Sequence, residues 1–254
     1  MSDIESDGRS GIFTELRLAI SFLTIVPVID EQPTSEAAVA RSFAWFPIVG
    51  FMIGAALCAE DKLLASIFGQ TIRSVLIVLS LTILTGAIHL DGLADTADAL
   101  GAGWNRERAL EILRDSRVGT FGVAAIFFDL SLKVLALATL AGRHRMLALF
   151  MAPGISRMSM VIVADSIEYL RTTGAGTALV GGDETRRLMR ACVTVAAVLC
   201  LTLSIRGLGA TVIAMAAALM MRSFYRRWLG GVTGDLIGAC GEIAEIAVLI
   251  TFAS

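Results

Sequence analysis

The chain has 254 residues, 56% of them hydrophobic and only 17% charged, and its mean hydropathy is +0.77. Soluble domains are roughly half apolar with about a quarter of their residues charged, so an ordinary soluble domain is excluded and an all-α, polytopic membrane protein is expected. The net charge of −2, without a basic stripe, offers nothing for nucleic acid to bind.

Residues 1–11 are polar and acidic, with neither a basic n-region nor a small-residue cleavage site, so no cleaved signal peptide is expected. The four cysteines (Cys58, Cys192, Cys200, Cys240) lie inside apolar runs without a C-x-x-C pair and read as small buried thiols of membrane helices. Residues 16–28 are apolar but short, with Glu15 and Arg17 at the start and Pro27 near the end, which suits an interfacial or re-entrant helix. A loop over 30–36 precedes the first span, 42–59, where Gly50 and Gly54 form a G-x-x-x-G that lets helices approach closely in lipid. The second span, 72–90, runs into a cluster of aspartates.

Residues 91–119 are the largest polar excursion. Gly101 and Gly103 break any helix from Asp91, and Asn105 can cap a second one over 106–116. The apolar face of that helix, Ala109, Leu110, Ile112 and Leu113, suits the membrane surface. The third span, 121–140, carries Asp129 and Lys133 at a spacing of four, where they can neutralise each other. The fourth, 146–164, is interrupted at Pro153-Gly154 and carries Arg157, whose partner would be a phosphate or one of Asp129, Asp165 and Glu242. The loop 165–182, with Arg171 and paired glycines, could close over a large substrate, although an ordinary flexible loop is the default reading. Spans 191–205 and 207–221 meet at Arg206-Gly207, 222–234 is basic and Gly-rich, and the last span, 236–253, is entered by Asp235 and carries Glu242 and Glu245. That makes about seven transmembrane helices, an N-terminal interfacial helix and a cytoplasmic amphipathic helix, in one domain over 1–254.

Charge counting orients them. With the N-terminus inside, the inner segments (up to 41, 91–119, 165–190, 222–234) hold 3, 4, 4 and 3 Lys/Arg, and the outer connections hold only Lys62, Arg73, Arg143, Arg145 and Arg206. By the positive-inside rule the polar excursions, including a catalytic loop over 91–119, are cytoplasmic.

The chemistry concentrates in His89-Leu90-Asp91-Gly92-Leu93-Ala94-Asp95-Thr96-Ala97-Asp98. On a helix Asp91, Asp95 and Asp98 fall within about 60° of one face. A helix cap and a solvated face would account for one or two of them. Three at a membrane boundary suit oxygen ligation of Mg²⁺, which takes carboxylates together with substrate phosphates. His89 points nearly opposite and is either an interfacial anchor or a substrate contact. Arg114, Asp115 and Arg117 end the amphipathic helix with guanidinium forks fit for phosphate, although a plain surface helix end could carry the same residues. Asp235 and Glu242 nearly superpose on the last helix. The turn 230–234, with Gly231 and Thr233, offers backbone N–H groups at a helix start.

The aspartate run, followed by Arg108-Ala-Leu-Glu-Ile-Leu-Arg114-Asp115-Ser-Arg117-Val-Gly-Thr-Phe-Gly122, closely resembles the cobalamin synthase (adenosylcobinamide-GDP ribazoletransferase, CobS) family. Phe22-Leu-Thr-Ile-Val-Pro27, Phe46-Pro-Ile-Val-Gly50 and Gly230-Gly-Val-Thr-Gly-Asp235 with Gly238, Ala239 and Glu242 fit in the same order, so the resemblance covers essentially the whole chain. Two departures stand out: Ala99 where the family often has glycine, and Arg171-Thr-Thr-Gly174-Ala175 where it usually reads R-x-x-G-L. The resemblance implies a Mg²⁺-dependent, inner-membrane transferase that joins adenosylcobinamide-GDP to α-ribazole or its 5′-phosphate and releases GMP. On that reaction the residues themselves suggest Asp91, Asp95, Asp98 and Asp235 around metal-bound phosphates, Asp91 and Asp95 in catalysis with Asp95 chosen as the base, and His89, Arg114, Asp115, Arg117, Arg157, Gly231, Thr233 and Glu242 around the substrates. The resemblance leaves open a homo-oligomer or association with other corrinoid-assembly enzymes. Two rivals compete. Asp91-Gly92-Leu93-Ala94 matches the opening of the CDP-alcohol phosphotransferase motif, but Asp95 stands where that motif has arginine. An ion-coupled transporter would use the intramembrane charges, and it requires paired broken helices in two matching halves.

Overall fold

A computed structural model of the chain describes residues 11–28, 36–115, 117–170 and 184–254. The elements are α1 (Ile12–Leu23), α2 (Glu36–Ser42), a 3-10 turn (Phe43–Trp45) leading into α3 (Phe46–Leu64), α4 (Gln70–Leu84), α5 (Ile88–Leu100), α6 (Arg106–Ile112), α7 (Thr120–Thr139), α8 (Gly142–Ala164), α9 (Glu184–Thr202), α10 (Ile205–Trp228) and α11 (Gly234–Ala253). Extended pairing among the described residues is limited to a parallel bridge between Tyr169 and Val232.

The expected all-α, polytopic membrane bundle is what forms, and length and composition alone give fewer than the expected seven spans. Five helical segments are long and apolar enough to cross a bilayer (38–64, α7, α8, α10 and α11), and a sixth if the bent pair α4–α5 counts as one broken span. Two of the seven expected spans fall short of that length and composition. α9 carries Arg186, Arg187 and Arg190 in its first two turns, although its apolar remainder still runs to the end of the bundle where Thr202 O meets Arg143. The second span stops at Leu84 instead of running to Leu90. There the Ala87 N–H bonds back to Thr82 O (2.9 Å), and Gly86 (φ +62°) and Ala87 (φ +55°) are left-handed, a helix-ending turn of Schellman type. The next helix leaves at 89°.

α8 and α11 form the centre: 78% and 67% of their apolar windows are buried, against 28% for α7 and α10, whose outer faces are left for lipid. Gly50 and Gly54 of α3 press on the α8 backbone at Phe150, Pro153 and Gly154, where a Cβ would run into main chain. The G-x-x-x-G therefore packs as expected. α8 itself runs unbroken through Pro153, not interrupted there, with α3 seated against that stretch. The junction of α9 and α10 falls at Leu203-Ser204, ahead of the expected Arg206-Gly207, because Leu203 is left-handed (φ +46°) and the Ser204 hydroxyl caps α10 through Gly207 N (2.9 Å). Cys58 is half-buried and Cys240 buried, but Cys192 and Cys200 are exposed on the outer face of α9.

The bundle has two distinct ends. At the distal end the buried Arg145 guanidinium grips the Asp61 carboxylate through Nε (3.0 Å) and Nη2 (2.6 Å) and also donates to Ser74 Oγ (3.0 Å). Arg143 reaches Thr202 O (2.9 Å) and Arg206 reaches Phe252 O (2.8 Å) at the same end. The other end gathers the polar excursions. Trp228 Nε1 donates to Gly103 O (2.7 Å), Arg106 Nε to Leu229 O (2.7 Å), and Val232 N to Glu168 O (2.8 Å). α1 lies at this polar end, where Glu15 accepts from Arg41 Nε (2.8 Å) and Trp45 Nε1 (3.1 Å).

Candidate active site

The right-angle turn at Gly86-Ala87 lays α5 across the start of α11. Gly92 makes this contact: a Cβ there would stand 2.7 Å from Asp235 O and 2.8 Å from Asp235 Cα. His89, one turn earlier, is buried against Gly238 of the same helix. With those two positions facing α11, the arc holding Asp91, Asp95 and Asp98 flanks the contact. The Thr96 hydroxyl is turned inward and donates to Gly92 O (2.7 Å), so it is satisfied within its own helix.

The aspartates occupy different settings. Asp91 is exposed, and its carboxylate has no partner among the described residues. Asp95, one turn on, is half-buried and is not a free carboxylate. Asp235 begins α11, where Thr233 Oγ1 lies 3.3 Å from its Oδ2 and caps Leu236 N (3.4 Å). Asp98 is expected beside Asp91 and Asp95 as a ligand, but both of its oxygens are turned away from them. They accept from Gly119 N (2.6 Å) and Gly122 N (2.9 Å), so Asp98 caps α7 from a different helix. Gly119 and Gly122 leave room for that carboxylate, since a Cβ on either would collide with it.

No three His, Cys, Asp or Glu side chains converge as a metal cage among the described residues. The oxygen-only pair Asp91 and Asp95 nonetheless fits Mg²⁺, which characteristically takes one or two carboxylates and completes its shell with water and substrate phosphates.

Among the cationic groups, Arg114 is exposed at the end of α6. Arg117 holds Asp115 in a fork (Nη2–Oδ2 2.6 Å, Nε–Oδ1 3.0 Å), and these bonds lower the Asp115 carboxyl to a pKa of about 2. α6 starts as expected, with Asn105 Oδ1 accepting from Arg108 N (3.0 Å), but ends at Ile112 instead of 116. The turn 230–234 is less open than its glycines suggest. The Val232 N–H is spent on Glu168 O, and Gly231 is buried so tightly against Glu168 and Leu170 that no side chain fits. Arg171 and the glycines of 174–182 lie outside the described residues.

Arg157 and Glu242 stand inside the bundle beneath α5. Lys133 of α7 is hydrogen-bonded to Glu242 and lies 3.0 Å from Asp129 Oδ2 and 3.3 Å from Glu245 Oε1. Arg157 Nη1 donates to Glu245 Oε2 (2.8 Å), so its partner is Glu245, not Asp129, Asp165 or Glu242. Side-chain reach explains the difference: Glu245 lies level with Arg157 where α8 and α11 touch, whereas Asp165 faces Arg187 (3.8 Å). The cluster lines a small cavity with Thr82, Thr85 and Leu90. Three carboxylates and two cations bind α7, α8 and α11 together at a depth where an unpaired charge costs several kcal/mol. The sequence pointed to Gly92, Gly119 and Gly122 only as members of motifs. Their common signal is glycine at helix-contact spacing near acids.

A sequence model described as cobalamin-5-phosphate synthase matches residues 15–253. The chain is 37% identical over 234 residues to the adenosylcobinamide-GDP ribazoletransferase of Syntrophobacter fumaroxidans, covering 91% of this chain and 94% of that one. It is 38% identical over 245 residues to the enzyme of that name from Roseiflexus sp. (95% and 90%), and 34% over 239 residues to the one from Escherichia coli (91% and 96%). No solved structure matches. With the aspartate helix, its glycine contact and the flanking cationic loop all inside the matched region, the chain belongs to the cobalamin-5-phosphate synthase (CobS) family.

Proposed function

We propose that this protein is an adenosylcobinamide-GDP ribazoletransferase, joining adenosylcobinamide-GDP to α-ribazole or its 5′-phosphate and releasing GMP at the cytoplasmic face of the inner membrane. The observation that carries this reading is the placement of Asp91 and Asp95 on a helix laid across the start of α11, at the end of the bundle where all described polar excursions meet. The Lys/Arg bias supports a cytoplasmic position for that end, where nucleotides are.

The reaction is a phosphoryl transfer. A ribose hydroxyl of the nucleoside attacks the phosphorus bonded to the corrinoid's aminopropanol arm, a new P–O bond forms, the bond to GMP breaks, and the hydroxyl proton goes to a carboxylate. Such catalysis is mainly positioning and charge neutralisation. Asp91 and Asp95 would hold Mg²⁺, which when bound neutralises pyrophosphate charge. Asp95, held in place by its half-buried setting, takes the hydroxyl proton. Arg114 and the Arg117–Asp115 fork steady phosphate oxygens from the loop before α7. Asp98 fixes that loop by capping α7, and the Lys133–Glu242–Glu245–Arg157 cluster holds α11, and with it Asp235, at the height of α5.

The test uses the purified protein in nanodiscs with adenosylcobinamide-GDP and each nucleoside form, reading corrinoid product and GMP together. Product and GMP should appear in equal amounts, stop with EDTA, return with Mg²⁺, and vanish in Asp91→Ala and Asp95→Ala. Wild-type turnover in both variants, or none in the wild type with either nucleoside, refutes the reading.

A further inference from the structure

Away from the aspartate helix, α1, the start of α3 and the first half of α9 line an open groove of about 420 Å³. This is the size of a pocket for a single organic ligand. Its walls are apolar: Ile12 from α1, Trp45 and Ile48 from the turn into α3, and Met189 and Val193 from α9. Ile12, Met189 and Val193 are exposed, and so is Phe13 beside them. One charged group stands in this lining, Arg190.

The charges around the groove leave that arginine available. The Glu15 carboxylate is already committed to Arg41 Nε and Trp45 Nε1. Arg190 Nη1 reaches it only at 3.8 Å, and the Arg190 side chain is 55% exposed. A guanidinium with unused donors therefore sits at the polar end of an apolar trough that opens on the outer surface of a membrane bundle. A tryptophan in the wall and a short amphipathic helix, α1, along the rim are features of the bilayer interface.

We infer that this groove binds one anionic phospholipid, with an acyl chain along Ile48, Met189 and Val193 and the head-group phosphate on Arg190. A free phosphate or nucleotide fits less well, because it would leave the apolar wall in water. A purely apolar ligand would leave Arg190 unused.

The test is lipid retention by the full chain purified in mild detergent, measured by native mass spectrometry after exposure to dioleoyl phosphatidylglycerol or to dioleoyl phosphatidylcholine. One phosphatidylglycerol per chain should be retained with about a 5-fold preference, the ratio expected for one basic residue near an anionic head group. Arg190→Gln should bring the two lipids to parity, Arg190→Lys should keep the preference, and Val193→Phe should expel both. Met189→Phe repeats the groove-filling test on a second residue should Val193→Phe fail to fold. Equal retention of the two lipids by the wild type, an unchanged preference in Arg190→Gln, or unchanged retention in the groove-filling variants overturns the inference. So does retention of neither lipid, the outcome if another part of the chain or a second copy covers the groove.

Discussion

Gly92→Ala is the sharpest probe of the proposed site, because it adds one methyl group and removes no functional group. That methyl would stand 2.7 Å from Asp235 O, 2.8 Å from Asp235 Cα and 3.1 Å from Asp235 C, all of them backbone atoms on a central helix. Ordinary carbon contacts are about 3.5–4.0 Å, so α5 and α11 must part by roughly 1 Å. Overpacking of this kind costs about 1–3 kcal/mol, and replacing a helical glycine by alanine returns about 0.5–1 kcal/mol, so the variant still folds. The catalytic loss is larger, since a displacement of roughly 1 Å of reacting groups can cost about 100-fold, or about 2.7 kcal/mol of transition-state stabilisation. The assay is steady-state GMP release beside thermal unfolding, with Gly209→Ala as the control: Gly209 lies in α10, and a Cβ there meets nothing within 4 Å. Gly92→Ala should lose far more in kcat than its unfolding shift accounts for, and Gly209→Ala should keep wild-type turnover. A wild-type kcat in Gly92→Ala refutes the claim that the spacing of α5 and α11 sets the geometry of the aspartates.

Two further substitutions separate roles within the fold. Asp98→Asn keeps a side-chain acceptor for Gly119 or Gly122 and should leave the Mg²⁺ concentration for half-maximal rate unchanged, whereas Asp95→Asn should raise it; Asp98→Ala should cost about 1–2 kcal/mol of stability through the lost cap. A Mg²⁺ requirement that rises equally in Asp98→Asn and Asp95→Asn would make Asp98 a ligand. Arg145→Met leaves the buried Asp61 carboxylate at the distal end only its longer contact to Arg73 (3.3 Å) and should destabilise by up to about 3–5 kcal/mol, while Asp61→Leu with Arg145→Met should recover part of that loss in thermal unfolding, Arg73 keeping its bond to Asp61 O. The recovered double variant should turn over normally, because nothing at that end reaches α5.

How much of this was legible in the sequence depended on the range of the interaction. Hydropathy was enough for a membrane bundle, and the i to i+4 spacing was enough for the Asp129–Lys133 pair. Asn105 showed as a cap because the bond it makes closes within four residues. Gly86 carried the signal for the right-angle turn, a glycine just past an apolar run, but a run continuing to Leu90 hid it. Arg157 shows where spacing stops helping: several acids lay within plausible reach, and only the docking of α8 on α11 selects Glu245. Asp98 shows it more fully. Helical geometry puts its carboxylate on the same arc as Asp91 and Asp95, and by charge alone the three are equivalent. What separates them is the arrival of an uncapped helix start, α7, beside one of them, fixed by the length of the 101–119 loop and by two glycines that leave room. The start of α7, just after Arg117, is held by that same carboxylate, so in the proposed site the third aspartate would act by positioning that loop.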